Sequence, residues 1–72
     1  MSKYQGHKNW NHWNVSLWLS NDEETYRLMQ RMAHYSTTRA VAVQRVLGQL
    51  PTHTPDGAPY SAASVRAAMV GI

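Results

Sequence analysis

The stretch Trp10–Tyr26, WNHWNVSLWLSNDEETY, constrains the fold of this 72-residue chain more than any other segment. It contains all three tryptophans and ends in the polar run Ser20-Asn21-Asp22-Glu23. Because the chain has no phenylalanine, we expect the indole rings to supply most of the core, with two of them buried and Trp10 partly exposed. A chain of this length forms one compact core, and without cysteine it has neither a disulfide nor a thiolate metal site.

Two periodicities compete within this stretch. Apolar and polar residues alternate as in a strand, but Trp10, Trp13 and Leu17 also recur at the three- and four-residue spacing of a helix. We favour a helix over residues 10–19, because no second convincing strand is available and an isolated strand cannot satisfy its backbone hydrogen-bonding groups.

Capping residues predict where the second and third helices begin. The S-x-x-E pattern from Ser20 to Glu23 fits a capping box in front of a second helix. Ser36-Thr37-Thr38 offers hydroxyl caps for a third helix over Arg39–Leu50, and Pro51 ends that helix because residues before proline are pushed out of the helical region.

The last part of the sequence reads as a loop followed by a short helix. Residues 51–60 form the loop, within which Thr54-Pro55-Asp56-Gly57 has proline and glycine at the positions preferred in a type I turn. Ser61 then caps a C-terminal helix over residues 61–72, which is too short to be stable unless it docks on the rest of the protein.

Together these patterns predict an all-α fold: a single domain, residues 1–72, of three to four short helices around a Trp-rich first helix. Residues 1–8 are predicted to be a loosely ordered lead-in. The sequence contains no secretory signal and no apolar run of membrane-spanning length, so we expect a soluble, unprocessed chain.

The charge balance is modestly basic, with seven Lys and Arg residues against four Asp and Glu residues and a formal net charge of +3. A DNA mimic would be strongly acidic, and a surplus of three is too small to define a phosphate-binding surface. On the second predicted helix, Arg27, Arg31 and His34 form a basic stripe. This stripe is either a solvated helix face or a binding surface, for which the planar guanidinium suits carboxylate or phosphate groups.

Patterns that indicate catalysis or metal binding are missing from the sequence. The four histidines are scattered, and no two of them have the i, i+4 spacing of a helical metal site. Asp22, Glu23 and Glu24 cluster at one predicted helix start and Asp56 belongs to the predicted turn, so structural roles account for every carboxylate. We therefore predict no catalytic residue, no metal site and no cofactor, and we expect the protein not to be an enzyme.

Two blocks of the sequence carry a family resemblance. The first begins with Tyr4-x-Gly6 and continues as W-N-V-x-L-W-L-x-N-D-E-x-x-Y over Trp13–Tyr26, and the second is T-P-D-G-x-x-Y over Thr54–Tyr60, followed by V-R-x-A-M. These blocks resemble a family of very small proteins of unknown function encoded by phages, prophages and plasmids. The segment Met29–Leu50 does not follow the pattern.

The resemblance implies a mobile-element setting, in which short accessory proteins often disarm host defence. Anti-CRISPR proteins are similar in kind: they are tiny, single-domain and non-enzymatic, and they act by occluding a surface of a host complex. Because the family has no agreed activity, the resemblance supplies no catalytic residue.

From the residues and the resemblance we predict a binding protein that inhibits a host defence complex, such as a CRISPR effector, in the host cytoplasm. The expected partner contacts are Arg27, Arg31, His34, Asp56, Tyr60 and Trp10. One alternative is a small nucleic-acid-binding regulator that reads DNA or RNA with its third helix, although that helix has few polar side chains for base edges. A second alternative is a structural homodimer that pairs through Met29 and Met32. No membrane partner is expected.

Overall fold

The computed structural model describes residues 9–72, which form four α-helices. Their bounds are α1 Trp10–Asn21, α2 Glu23–Tyr35, α3 Arg39–Leu47 and α4 Ala62–Ala68. Among the described residues the only β-type pairing is an isolated bridge between His53 and Pro59. The predicted all-α fold is therefore confirmed, while the predicted lead-in over residues 1–8 lies outside the described residues.

The boundary between α1 and α2 differs from its prediction. α1 begins where the side chain of Asn9 accepts a hydrogen bond from the His12 backbone N–H at 3.0 Å. It then runs through Ser20 to Asn21, two residues past the predicted end, and only the extended Asp22 separates it from α2. The predicted capping box is therefore wrong: Ser20 lies inside α1, and the carboxylate of Glu23 pairs instead with an arginine one turn later.

The four helices enclose one core of small aliphatic and methionine side chains. α1 packs against α2 and α4, and α3 packs against the same two helices from the opposite side. The buried apolar residues are Val15, Leu19, Met29, Ala42, Val43, Val46, Ala58, Val65, Ala68 and Met69. Because Met29 is buried and Met32 packs against this core, they do not form the free face that a homodimer through these two residues would need.

The tryptophans contribute less to this core than predicted. Trp10 is 38% exposed and Trp18 is 36% exposed, while Trp13 is half-buried. The prediction of two buried indole rings is therefore wrong, although Trp10 is partly exposed as expected. Valine, leucine, methionine and alanine side chains fill the core instead.

The two later helices are shorter than predicted. α3 ends at Leu47, and a turn through Gly48 leads to Pro51, so the predicted helical end at Leu50 is wrong. α4 ends at Ala68, and its start matches the prediction, with the Ser61 hydroxyl accepting from the Ser64 backbone N–H at 3.1 Å.

An arginine at the start of α3 holds the last residues of the chain. The guanidinium of Arg39 donates to the carbonyl oxygens of Met69 at 3.1 Å and Ile72 at 2.8 Å. This contact fastens the segment after α4 to the start of α3. None of the helices in the described residues is both long and apolar enough to span a bilayer.

Candidate functional site

The loop between α3 and α4 contains the predicted turn. The backbone N–H of Gly57 donates to the carbonyl of Thr54 at 2.9 Å, and the Thr54 N–H donates to the carbonyl of Ala58 at 2.8 Å. Gly57 has a φ of 94°, in the left-handed region where glycine avoids the Cβ clash of other residues. The turn is therefore closed by its own backbone, and the side chain of Asp56 points away from it to α1.

A polar network joins this turn to α1. Asn14, only 1% exposed, donates from its amide nitrogen to Asp56 Oδ2 at 2.8 Å and accepts at Oδ1 from the Thr54 hydroxyl at 2.6 Å. The indole N–H of Trp18 donates to the same Asp56 oxygen at 2.9 Å. Both sides of the Asn14 amide are thus satisfied, as a buried polar group requires. We call Asn14, Trp18, Thr54 and Asp56 the turn network.

The turn network gives structural roles to both blocks of the family-like sequence. Asn14 and Trp18 belong to the W-N-V-x-L-W block, and Thr54 and Asp56 belong to T-P-D-G. Asp56 lies in the predicted turn, but its carboxylate bonds to α1 rather than to the turn, through Asn14, which is 42 residues earlier in the sequence. The Asp56 side chain is exposed to solvent, but its Oδ2 atom is engaged in hydrogen bonds to α1.

Acidification is expected to weaken the turn network. The hydrogen bond from Asn14 and then that from Trp18 lower the pKa of Asp56 below its ordinary value. Because the folded-state pKa is below the unfolded one, the carboxylate stabilises the fold fully above about pH 4 and loses this effect as the pH falls through the lowered pKa.

Urea unfolding of the wild type and of Asp56→Asn, measured from about pH 7 to about pH 2, isolates this group because the other carboxylates are common to both proteins. We expect the advantage of the wild type to shrink below about pH 4. A difference that stays constant across the whole range would contradict the assignment.

A second feature is an open groove of about 860 Å³ along the outer side of α2, which extends to the end of α3. We call it the α2 groove. Its lining residues are Glu24, Thr25, Arg27, Leu28, Gln30, Arg31, His34, Tyr35, Gln49, Leu50 and Pro51. The structure thus brings the three predicted contact residues of the basic stripe together on one surface.

The two arginines that line the α2 groove differ in their ion pairing. Arg27 pairs with Glu23 one turn earlier, with both side chains largely exposed. Within residues 9–72, Arg31 makes no ion pair. Arg31 is therefore the groove arginine whose charge is available to an incoming group.

Aromatic and apolar side chains complete the groove. Tyr35 is 70% exposed, and the ring of His34 meets it edge to face with centroids 4.9 Å apart. Leu28 lies on the same helix, and Leu50 and Pro51 come from the turn after α3. Tyr35 is exposed because it lies at the last position of α2, where the chain turns toward α3.

The other predicted contact residues lie outside the α2 groove. Trp10 is exposed at the start of α1, and Tyr60 is half-buried against the core. Burial, with a smaller effect from the charge of Asp22, raises the pKa of Tyr60 above its ordinary value. The six predicted residues therefore form no single site, since only Arg27, Arg31 and His34 share one surface.

Sequence reasoning missed the apolar part of the groove. Leu28 and Tyr35 are seven residues apart on α2 with Arg31 between them, a spacing that places them on one face. This spacing could have identified Leu28 and Tyr35 as part of one surface. Leu50 and Pro51, however, reach the groove only through the packing of α3 on α2. Among residues 9–72, no three His, Asp or Glu side chains converge as they would around a metal ion.

These features define a small four-helix domain in which a polar network fixes one loop and an open cationic and apolar groove follows one helix. The model of a family of unknown function, DUF7249, matches residues 1–71. The match spans nearly the whole sequence, so the chain belongs to this family. No curated protein and no solved structure matches it.

Proposed function

We propose that this protein is a non-enzymatic binding protein that inhibits a host defence complex by occluding one of its surfaces. The observation that carries the proposal is the α2 groove, which places Arg31 and His34 beside the exposed ring of Tyr35. Arginine and tyrosine are among the residue types that contribute most to binding energy at protein interfaces. The contact surface of the protein is the α2 groove, with Arg27 at its edge.

The carboxylates support a binding role over a catalytic one. Three of the four already have side-chain partners: Asp56 on α1, Glu23 on Arg27, and Asp22, which accepts from the hydroxyl of Thr25. General acid or base catalysis requires a positioned carboxylate, or an equivalent group, that can reach a substrate proton. These three carboxylates are therefore engaged in contacts within the protein.

The arginines of α3 favour a protein partner over a nucleic acid. Arg39 binds the carbonyls that follow α4, and Arg45 donates to the Tyr35 carbonyl and to the Ser36 hydroxyl, each at 3.4 Å. A nucleic-acid reader needs several free cations along one face, because phosphate contacts supply most of its affinity. Because Arg39 is engaged within the fold, Arg45 is the one exposed arginine of α3, and this helix lacks the several free cations that a reader needs.

The choice of a host defence complex as the partner rests on the resemblance to small phage, prophage and plasmid proteins. A protein of this size that arrives with a mobile element acts most simply by covering a surface that a defence machine needs. CRISPR effector complexes in the host cytoplasm are the first class to test.

A plating assay tests both the function and the surface. A host with an active CRISPR system that targets a test phage would express the wild type, Arg31→Glu, or the control Arg66→Glu. Arg66 is an exposed arginine on α4, so its substitution makes the same charge change outside the groove. We expect the wild type and Arg66→Glu to restore phage growth, and Arg31→Glu to lose at least about tenfold of that effect, the equivalent of one disrupted charged contact.

The anti-defence function and the assigned contact surface are contradicted by different results. If no defence system in a panel is inhibited by the wild type, the anti-defence function is contradicted. If Arg31→Glu inhibits as well as the wild type while remaining folded by circular dichroism, the assigned surface is contradicted. Retention of the wild type on DNA that declines steeply with salt would instead support the nucleic-acid alternative.

A further inference from the structure

We infer that the partner segment that occupies the α2 groove is an acidic peptide stretch with an apolar anchor residue, docked in one direction along the helix. The inference rests on the proposed function and adds the chemistry of the partner to it. Three properties of the groove support it: its apolar lining, the one lining arginine that makes no ion pair within residues 9–72, and the separation of charge along α2.

The floor of the groove suits a side chain rather than a sugar or a phosphate. Leu28, Leu50 and Pro51 line it from two different elements, and Tyr35 rises at one end. An apolar anchor placed between these groups removes surface from water on both sides, which is the main source of affinity in peptide grooves. Because the groove is open to solvent, an anchor side chain and its flanking backbone can enter it directly.

Charge complementarity sets the sign of the partner. Arg31 has no ion pair within residues 9–72, so a carboxylate from the partner meets an unoccupied guanidinium able to bind it through two N–H groups. Arg27, by contrast, is already paired with Glu23. One free arginine matches one or two carboxylates of a peptide.

A phosphate backbone fits this charge pattern poorly. Nucleic acid presents a regular row of negative charges, and the groove offers one unpaired arginine and also includes Glu24 in its lining. The carboxylate of Glu24 would repel the phosphates that followed the one bound at Arg31. A peptide avoids this conflict because its charges need not repeat.

The separation of charge along α2 sets the direction of docking. Glu24 lies in the first turn of the helix and Arg31 seven residues later, so these two charges are roughly 11 Å apart along the axis. A segment docked with its acidic side chains at Arg31 places its apolar anchor near Leu28 and keeps further acids away from Glu24. The reverse orientation brings like charges together.

A displayed library of random peptides, selected on the full-length protein, tests this chemistry without assuming a sequence. We expect the enriched peptides to combine one or two acidic residues on one side of a single large apolar residue. An enriched peptide should bind Arg31→Glu and Tyr35→Ser at least about tenfold more weakly than the wild type, and bind Arg66→Glu within about twofold of it.

Enrichment of basic peptides, or equal binding to Arg31→Glu and Arg66→Glu, would overturn the inference. So would tighter binding of a labelled thymidine oligonucleotide than of any selected peptide at the same salt concentration. If the selection overturns the inference while Arg31→Glu still abolishes inhibition in the plating assay, the proposed function stands and only the partner chemistry is wrong.

Discussion

Replacing Leu19 with alanine is expected to destabilise the fold by about 2–5 kcal/mol, whereas the same change at Leu17 is expected to cost less than about 1 kcal/mol. Leu19 is 1% exposed in the core, and Leu17, two residues earlier on α1, is 37% exposed. The two substitutions delete the same atoms from the same helix, so their difference measures burial alone. A chain of this length has a total stability of roughly 4–11 kcal/mol, and Leu19→Ala therefore removes a large part of it.

Urea unfolding followed by circular dichroism measures both variants. Equal losses at Leu17 and Leu19 would show that α1 is rotated from the position described.

Replacing Asn14 with aspartate is expected to cost at least about 2 kcal/mol near neutral pH, although the two side chains have almost the same shape. Asn14→Asp removes the donor to Asp56 and places a second negative charge beside it in a buried position. The matched control is Asn11→Asp in the first turn of α1, where the helix dipole favours a negative charge and the change should stay within about 1 kcal/mol.

The pH dependence of this defect separates charge from packing. Protonation of either carboxyl relieves the repulsion, so the deficit of Asn14→Asp should shrink in acid, unlike a cavity or a steric clash. A loss of the same size at every pH, or an equal loss in Asn11→Asp, would contradict the turn network. The double variant with Asp56→Ala should recover part of the loss, because the two sites are in direct contact.

Local chemistry explains which elements could be predicted from the sequence. The starts of α3 and α4 depend on hydrogen bonds that reach three residues, from Thr38 to Val41 and from Ser61 to Ser64, so the sequence contains the relevant information within one turn. The predicted capping box at Ser20 is wrong because Ser20 and Asn21 continue α1, which leaves only Asp22 between the two helices.

Long-range packing explains the rest. The burial of the indole rings depends on how the helices pack, which spacing within one helix cannot show. Trp10 and Trp18 remain more than a third exposed, whereas the small side chains of Ala42, Ala58 and Ala68, from other segments, lie in the core. The partner of Asp56 lies 42 residues earlier in the chain, so spacing within the turn could not identify it. In the α2 groove, helical periodicity placed Arg27, Arg31 and His34 together, but the approach of Leu50 and Pro51 follows from tertiary structure.

The central proposal assigns different roles to two surfaces: the tryptophan-bearing helix α1 maintains the fold, and the α2 groove is proposed to bind the partner. The most direct measurement is a nuclear magnetic resonance titration of the ¹⁵N-labelled protein with a host complex whose inhibition the plating assay has first demonstrated. We predict that signals from residues 27–35 and 49–51 shift or broaden, while the indole N–H signals of Trp13 and Trp18 stay in place. Selective changes at the indole signals, with the α2 signals unmoved, would contradict it.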